Sequence, residues 1–277
     1  MEDLVIALRE NSGRKKVERR KILKGTVVAL AGVAASSLLK GFEPVSSQSA
    51  GTTGIEPPRN FIFVIDLDKC DGCRKCTEGC HAEMHVPPAW GEPNYEGRQP
   101  WIQVFDLPDG THMPVPCQNC QNSPCTKVCP VGATYYSEDN IVLIDQNRCI
   151  GCRICLASCP YERRFFNWYD PPVTEEEKKI QYSPDFNIPH RRGVAEKCVW
   201  CRHRTKMGMV PACVEACARA GMKALWFGDE AQDVVSNGVD SVRLSDMIQD
   251  RGAYRFKDEL GTSPRVLYLP PRGSASA

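Results

Sequence analysis

The sequence predicts a loop-rich α+β fold of short strands and short helices, built as two modules with pseudo-symmetry, and three observations carry that prediction. The sixteen cysteines of the 277-residue chain fall into four groups of four with none left over. They are Cys70, Cys73, Cys76 and Cys80; Cys117, Cys120, Cys125 and Cys129; Cys149, Cys152, Cys155 and Cys159; and Cys198, Cys201, Cys213 and Cys217. Short β-branched and aromatic runs punctuated by turn signals lie between these groups, which is strand and hairpin patterning. The remaining composition is globular: 42% hydrophobic, 25% charged and a formal net charge of +1, a balance that argues against a nucleic-acid partner.

The first and third groups are spaced C-x2-C-x2-C-x3-C, and in the second and third the last cysteine precedes Pro130 and Pro160. This is the run that binds [4Fe-4S] clusters in bacterial ferredoxins, where the fourth cysteine ligates the other cluster of a two-cluster unit. Such runs work in pairs, so the four groups predict two ferredoxin-like bis-[4Fe-4S] modules. Structural zinc is the first alternative, but a tetrahedral site needs only two C-x2-C pairs and has no use for a third closely spaced cysteine. A disulfide framework is the second. Cysteines this close in sequence rarely meet disulfide geometry, and a chain of this length buries a core without staples.

The chain opens with a basic segment, Arg14, Lys15, Lys16, Arg19, Arg20, Lys21 and Lys24, followed by an apolar one from Gly25 to Leu39. The apolar segment falls short of the about 20 residues needed to span a bilayer and reads as a signal-peptide core rather than an anchor. Arg19-Arg20-Lys21-Ile22-Leu23-Lys24 resembles the twin-arginine export motif, with Glu18 and Ile22 departing from its usual residues. An amphipathic N-terminal helix is the alternative. Twin-arginine export carries folded proteins, which reconciles clusters assembled in the cytoplasm with an oxidising destination. The Ser/Gly/Thr-rich stretch Ser46 to Gly54, with Ala50 as a cleavage candidate, reads as a linker. The expected division is therefore 1–50 signal and linker, 51–228 four-cluster domain, and 229–277 C-terminal tail and docking segment.

Phe61 to Leu67 predicts a strand that feeds the first cysteine run. Trp101 to Phe105 and Met113 to Val115 flank Pro108-Asp109-Gly110 and predict an inserted hairpin. Thr134 to Tyr136, the turn Glu138-Asp139-Asn140 and Ile141 to Ile144 predict the strand pair that a two-cluster ferredoxin sets between its runs, with Gly132 and Ala133 allowing close approach. The second and third runs then make one module, and by elimination the first and fourth make the other. Between Asp170 and Arg192 a polar insertion carries Thr174-Glu175-Glu176-Glu177-Lys178-Lys179. Its acidic start and basic end suit a short helix on a solvated surface segment, with a docking element for a partner subunit as the alternative. Arg163, Arg164, Arg191, Arg192, Lys197, Arg202, Arg204 and Lys206 crowd the third and fourth runs, as surface charge, to offset cluster charge or to meet an acidic partner face. A helix after the first run would set His81 and His85 on one face, near Met84. With no cluster short of a ligand, these three are expected to support the site rather than bind metal.

The order of the runs, with the second spaced C-x2-C-x4-C-x3-C and the fourth C-x2-C-x11-C-x3-C, resembles the iron-sulfur subunits of the polysulfide, tetrathionate and dimethyl sulfoxide reductase family (NrfC-like). Cys117-Gln118-Asn119-Cys120-Gln121-Asn122-Ser123-Pro124-Cys125, Arg164-Phe165-Phe166-Asn167-Trp168 and Phe227-Gly228-Asp229 carry the resemblance further, which extends from Phe61 to Leu269. It implies crossed ligation. Cys70, Cys73, Cys76 and Cys217 would hold one cluster; Cys198, Cys201, Cys213 and Cys80 a second; Cys117, Cys120, Cys125 and Cys159 a third; Cys149, Cys152, Cys155 and Cys129 a fourth. Ala218 departs from the proline usual after the fourth run but removes no ligand. The implied cofactors are four [4Fe-4S] clusters with no open iron, so the chain is expected to relay electrons without an active site of its own. The implied partners are an NrfD-like integral membrane subunit that handles quinone and a molybdopterin catalytic subunit or multihaem cytochrome, on the periplasmic or extracytoplasmic face of the membrane. A relay subunit of a periplasmic hydrogenase or formate dehydrogenase is the alternative function.

Overall fold

The computed structural model describes residues 60–87, 99–249 and 251–272, so Arg19, Arg20 and the expected signal and linker lie outside the described residues. In chain order the strands are β1 (Phe61–Asp66), β2 (Ile102–Asp106), β3 (His112–Pro116), β4 (Thr134–Tyr136), β5 (Val142–Ile144), β6 (Phe165–Phe166), β7 (Ala195–Glu196), β8 (Leu225–Asp229), β9 (Val234–Ser236), β10 (Ser241–Arg243), β11 (Tyr254–Arg255) and β12 (Val266–Leu269). The helices are α1 (Lys75–Met84), α2 (Pro124–Lys127), α3 (Ile154–Ala157), α4 (Arg202–Thr205), α5 (Ala212–Arg219) and α6 (Leu244–Ile248). The class is mixed, with short helices and short strands, as the sequence predicts.

β1 is buried at every position, as a continuous apolar strand covered on both faces must be. It lies at the middle of a six-stranded sheet ordered β10-β9-β8-β1-β12-β11, antiparallel to β8 and parallel to β12. Phe63, Trp200 and Phe227 pack against one another in tilted and T-shaped contacts, joining this sheet to the fourth cysteine run. The two hairpins expected from their turn residues both form, β2 with β3 and β4 with β5. A further short ladder, β6 with β7, ties the segment after the third run to the segment before the fourth.

The described residues form one compact unit. The stretch from Asp229, expected as a tail, supplies β9 to β12 of the main sheet and bonds to the second cysteine run: Arg265 donates its amide to the Gln118 carbonyl, and the Gln121 and Asn122 amides donate to Ser263 and Thr262. A central strand pairing lies far apart in sequence here, and composition alone does not reveal it.

The polar insertion also differs from expectation. Its helix reduces to one 3-10 turn, Glu177–Lys179, in which Glu177 is buried. The Thr174 hydroxyl and the Glu177 carboxylate each accept from the other's amide, at 3.2 and 2.5 Å, a reciprocal capping box. Glu177 also meets the His85 ring, so its side chain turns inward instead of lining a surface helix. His85 itself closes α1 in the left-handed region, with φ of 47°, and is not on the helical face with His81. Among the described residues no helix is long and apolar enough to cross a membrane.

Candidate metal centre

Runs one and three share one backbone device. Gly72 and Gly151 adopt φ of 76° and 71°, and the arginine after the second cysteine, Arg74 or Arg153, sits at 57° or 61° immediately before a helix. These left-handed steps curl the chain so that three cysteines point inward, and glycine accepts them without the Cβ penalty. A Cβ at Gly72 would stand 2.7 Å from the His112 ring, so the curl is also closed from outside.

Helix packing brings the fourth cysteine of one run to another. α1 carries Cys76 and Cys80, α5 carries Cys213 and Cys217, and the two helices meet at Gly79. A Cβ there would lie 2.5 Å from Ala216 Cβ and 3.2 Å from the Ala212 carbonyl. Only a bare glycine permits this approach, which sets the cysteines of runs one and four against each other. The short helices α2 and α3, with Cys125 and Cys155, pack together as well.

Mutual electrostatic influence among the thiols shows which ones gather. Cys70 feels Cys217 and Cys73, and Cys76 feels Cys217, Cys70 and Cys73. Cys80 feels Cys198 and Cys201, and Cys213 feels Cys201, Cys80 and Cys198. Cys117, Cys120, Cys125 and Cys159 line one cavity, while Cys129, Cys149, Cys152 and Cys155 line another. Successive groups adjoin at single places: Cys76 beside Cys80 and Cys213, Cys198 beside Cys117, and Cys125 beside Cys155. Cys73 in the first group and Cys152 in the last are exposed, whereas the other fourteen are buried or half-buried.

Burial pushes most of these thiols up. Cys70 rises to about 11, and Cys76, with the neighbouring sulfurs adding to the effect, to about 12. Burial likewise takes Cys201 and Cys120 to about 12, and carries Cys80 and Cys213 well above the ordinary range. Such groups are thiols at neutral pH, and a metal must displace their protons to bind. Cys129 goes the other way: burial opposes its ionisation, but the amides of Thr134, Val131 and Ala133 outweigh it and hold the pKa below the ordinary value.

These residues fit [4Fe-4S] clusters. The two cavities are each walled by four sulfurs, and all sixteen cysteines are free of disulfides. Backbone amides already point at ligand sulfurs: Ala133 to Cys129 Sγ at 3.2 Å, Arg163 to Cys159 Sγ at 3.5 Å and Ala224 to Cys217 Sγ at 3.4 Å. Amide hydrogen bonds of this kind tune cluster potentials. Among the described residues no three Cys, His, Asp or Glu side chains converge closely enough for a single ion; the sulfurs surround spaces rather than a point.

The basic residues around runs three and four separate by partner. Arg202 pairs with Asp139 and Asp185, Arg204 with Glu83 and Glu215, Lys206 with Asp185 and Arg192 with Asp170. Arg191 stacks over Tyr182. Arg163 bonds to the Tyr161 carbonyl, the Pro100 carbonyl and Gln103, a latch onto β2. Lys197 is buried with its ammonium on the Cys198 carbonyl at 2.6 Å, and Arg164 is buried beside Cys125 and Cys155. His81 contacts the Gln99 carbonyl at 3.1 Å, and Met84 is in the core.

Three residues of the site carry no motif that points to them. Trp200, fully buried, donates to the Cys117 carbonyl at 3.0 Å and so spans the junction of runs four and two. Arg265 lies over the Trp200 ring and donates to the Asn119 carbonyl at 2.7 Å. His190 bridges Glu196 and the Met84 carbonyl, at 2.7 and 2.9 Å. The position of Trp200 between two cysteines was the one available signal; the others depend on long-range contacts.

Comparison with known proteins agrees with this chemistry. A family described as a 4Fe-4S dicluster domain matches residues 109–181. The chain is 38% identical over 222 residues to a selenate reductase subunit of Mesobacillus selenatarsenatis, covering 76% of this chain and 71% of that protein. It is 36% identical over 237 residues to the menaquinone reductase iron-sulfur cluster-binding subunit of Nitratidesulfovibrio vulgaris, covering 76% and 88%. It is 33% identical over 255 residues to a tetrathionate reductase subunit of Salmonella typhimurium, covering 91% and 87%.

Proposed function

The chain belongs to the family of iron-sulfur subunits of the polysulfide, tetrathionate and dimethyl sulfoxide reductases, and from that premise we propose that it relays single electrons through four [4Fe-4S] clusters, without an active site of its own, in a membrane-bound respiratory complex. The observation that carries the reading is that four sets of cysteines adjoin in succession, with exposed thiols only in the two end sets, Cys73 beside Cys70, Cys76 and Cys217 and Cys152 beside Cys129, Cys149 and Cys155. Such an arrangement suits entry at one end and exit at the other.

Cys70, Cys73, Cys76 and Cys217 would hold the first cluster and Cys198, Cys201, Cys213 and Cys80 the second. Cys117, Cys120, Cys125 and Cys159 would hold the third, and Cys149, Cys152, Cys155 and Cys129 the fourth. Runs one and four then form one two-cluster module and runs two and three its pseudo-symmetric counterpart, with α1 against α5 in the first and α2 against α3 in the second. Bound clusters supply reversible one-electron chemistry at potentials set by hydrogen bonds, charge and burial. The chain's residues set those conditions: apolar walls exclude water, and the amides of Ala133, Arg163 and Ala224 stabilise charge on sulfur.

The partners of this reading are an NrfD-like quinone-handling membrane subunit and a molybdopterin or multihaem subunit. The quinone side is supported by the relative named as a menaquinone reductase subunit. Arg19 and Arg20 would direct export by the twin-arginine route to the extracytoplasmic face. Anaerobically purified protein is expected to hold about sixteen iron and sixteen acid-labile sulfide per chain, four per cluster; colourless protein with bound zinc would overturn the reading. Changing Arg19 and Arg20 together to Lys keeps the charge but removes the guanidinium pair. Brown protein retained in the cytoplasm is the expected result, and undiminished export would exclude the route.

A further inference from the structure

Val142 and Cys125 line the first of the two cavities of runs two and three, Ile144, Ala195 and Cys155 line the second, and all five pack together in one buried cluster that forms a shared wall. One cation stands at that wall. Arg164 lines the first cavity, and its Nη2 donates to Thr134 Oγ1 at 3.1 Å, a residue that lines the second. Arg164 is 5% exposed, yet its Nε and Nη1 have no hydrogen-bond partner. The charges that act on it most are the sulfurs of Cys125, Cys155 and Cys117, from both groups. Its neighbour Arg163 is the contrast, since Nε, Nη1 and Nη2 are all spent on neutral oxygens.

A buried guanidinium with unmet donors is costly unless negative charge lies beside it. A cluster held by four thiolates is such a charge, and it becomes more negative on reduction. Burial in a poorly polarisable wall strengthens the attraction and lets it act in both directions.

We propose that Arg164 is a shared potential-setting cation, whose guanidinium stabilises the reduced state of both clusters bounded by Cys125 and Cys155. This rests on the reading of runs two and three as cluster sites. It adds that two neighbouring sites draw on one charge, so reduction of either lowers the other's potential less than two isolated anions would allow.

The experiment is a potentiometric titration followed by electron paramagnetic resonance on the full chain, in wild type, Arg164→Gln and Arg164→Lys. Cys125→Ser and Cys155→Ser identify the two relevant centres. In Arg164→Gln both centres should become harder to reduce, each by at least tenfold in its one-electron equilibrium constant, which is ~59 mV, while the other two stay unchanged. Arg164→Lys, which keeps a charge, should recover most of the shift. Unchanged potentials in Arg164→Gln, a shift in only one centre, or equal shifts in the Lys and Gln variants would each overturn the proposal. If Arg164→Gln loses its iron, Arg164→Lys decides: near wild-type potentials in both centres uphold it, and loss of iron equal to the Gln variant overturns it. Failure of the underlying four-cluster reading would show separately, as too few titrating centres in the wild type.

Discussion

The cysteines of runs one and four and the cysteines of runs two and three are controlled by different physics. In the first, Cys80, Cys198, Cys201 and Cys213 are all buried, and desolvation with mutual repulsion drives their pKa values up. The close α1–α5 packing around Gly79 supplies that burial. In the second, the helices are single turns, Cys129, Cys149 and Cys159 are only half-buried and Cys152 is exposed. Amides directed at Cys129 and the cation of Arg164 act there in the opposite sense to burial, favouring charge on sulfur. Similar cysteine spacing can thus be placed in an apolar helix interface or in a polar, amide-lined loop. The difference predicts two electrostatic settings along one chain.

The sharpest test is ligand exchange between runs. Cys217→Ser should damage the cluster of Cys70, Cys73 and Cys76, and Cys80→Ser the one of Cys198, Cys201 and Cys213, each removing up to about four of roughly sixteen iron atoms. Iron analysis with spectra of the remaining centres checks this; damage confined to each cysteine's own run would break the assignment.

A smaller effect is expected at the buried pair that links the insertion to the end of α1. Both partners of His190, the Glu196 carboxylate and the Met84 carbonyl, are acceptors, so both ring nitrogens donate and the ring is an imidazolium. Burial opposes that charge, but Glu196 outweighs it and the His190 pKa is raised above its ordinary 6.5. The folded chain then keeps a proton that the unfolded chain releases. This stability is full below about pH 6.5 and is lost as pH rises through the raised value. His190→Ala leaves the buried Glu196 carboxylate without its ionic partner, with only the Gln146 amide still donating to it, and should cost about 3–5 kcal/mol. Denaturant unfolding at several pH values, in wild type and variant, measures both effects; a variant with the wild-type pH dependence would refute the link.

Gly79→Ala comes next, at about 1–3 kcal/mol from overpacking of α1 on α5. Because only the first half depends on that approach, its clusters should be lost first on heating, while the signals of runs two and three persist. Loss of all four signals together would erase the distinction between the halves.

The least change is expected at Arg74 and Asp106, paired at 2.8 Å with both side chains more than half exposed. Arg74→Gly removes a solvent-screened ion pair while easing a left-handed residue, so thermal stability should move little in either direction. A large loss would mean that the rim of the exposed Cys73 contributes more to the first half than burial does.

The sequence by itself determined the number and grouping of the thiols, the inward curl at Gly72 and Gly151, the two local hairpins and the apolar strand β1. All of these are local: they follow from spacing, turn residues and side-chain alternation within about ten residues. Tertiary structure decided the rest. It set Cys217 beside Cys70 across the chain through a helix approach that one missing Cβ permits, and it laid β12 beside β1. It also turned Glu177 inward to His85 and buried Arg164 beside the thiols of Cys125 and Cys155 while pairing other nearby arginines with carboxylates. Burial and charge pairing are sums over residues distant in sequence. A buried guanidinium and an exposed one are the same letter until the chain has folded around them.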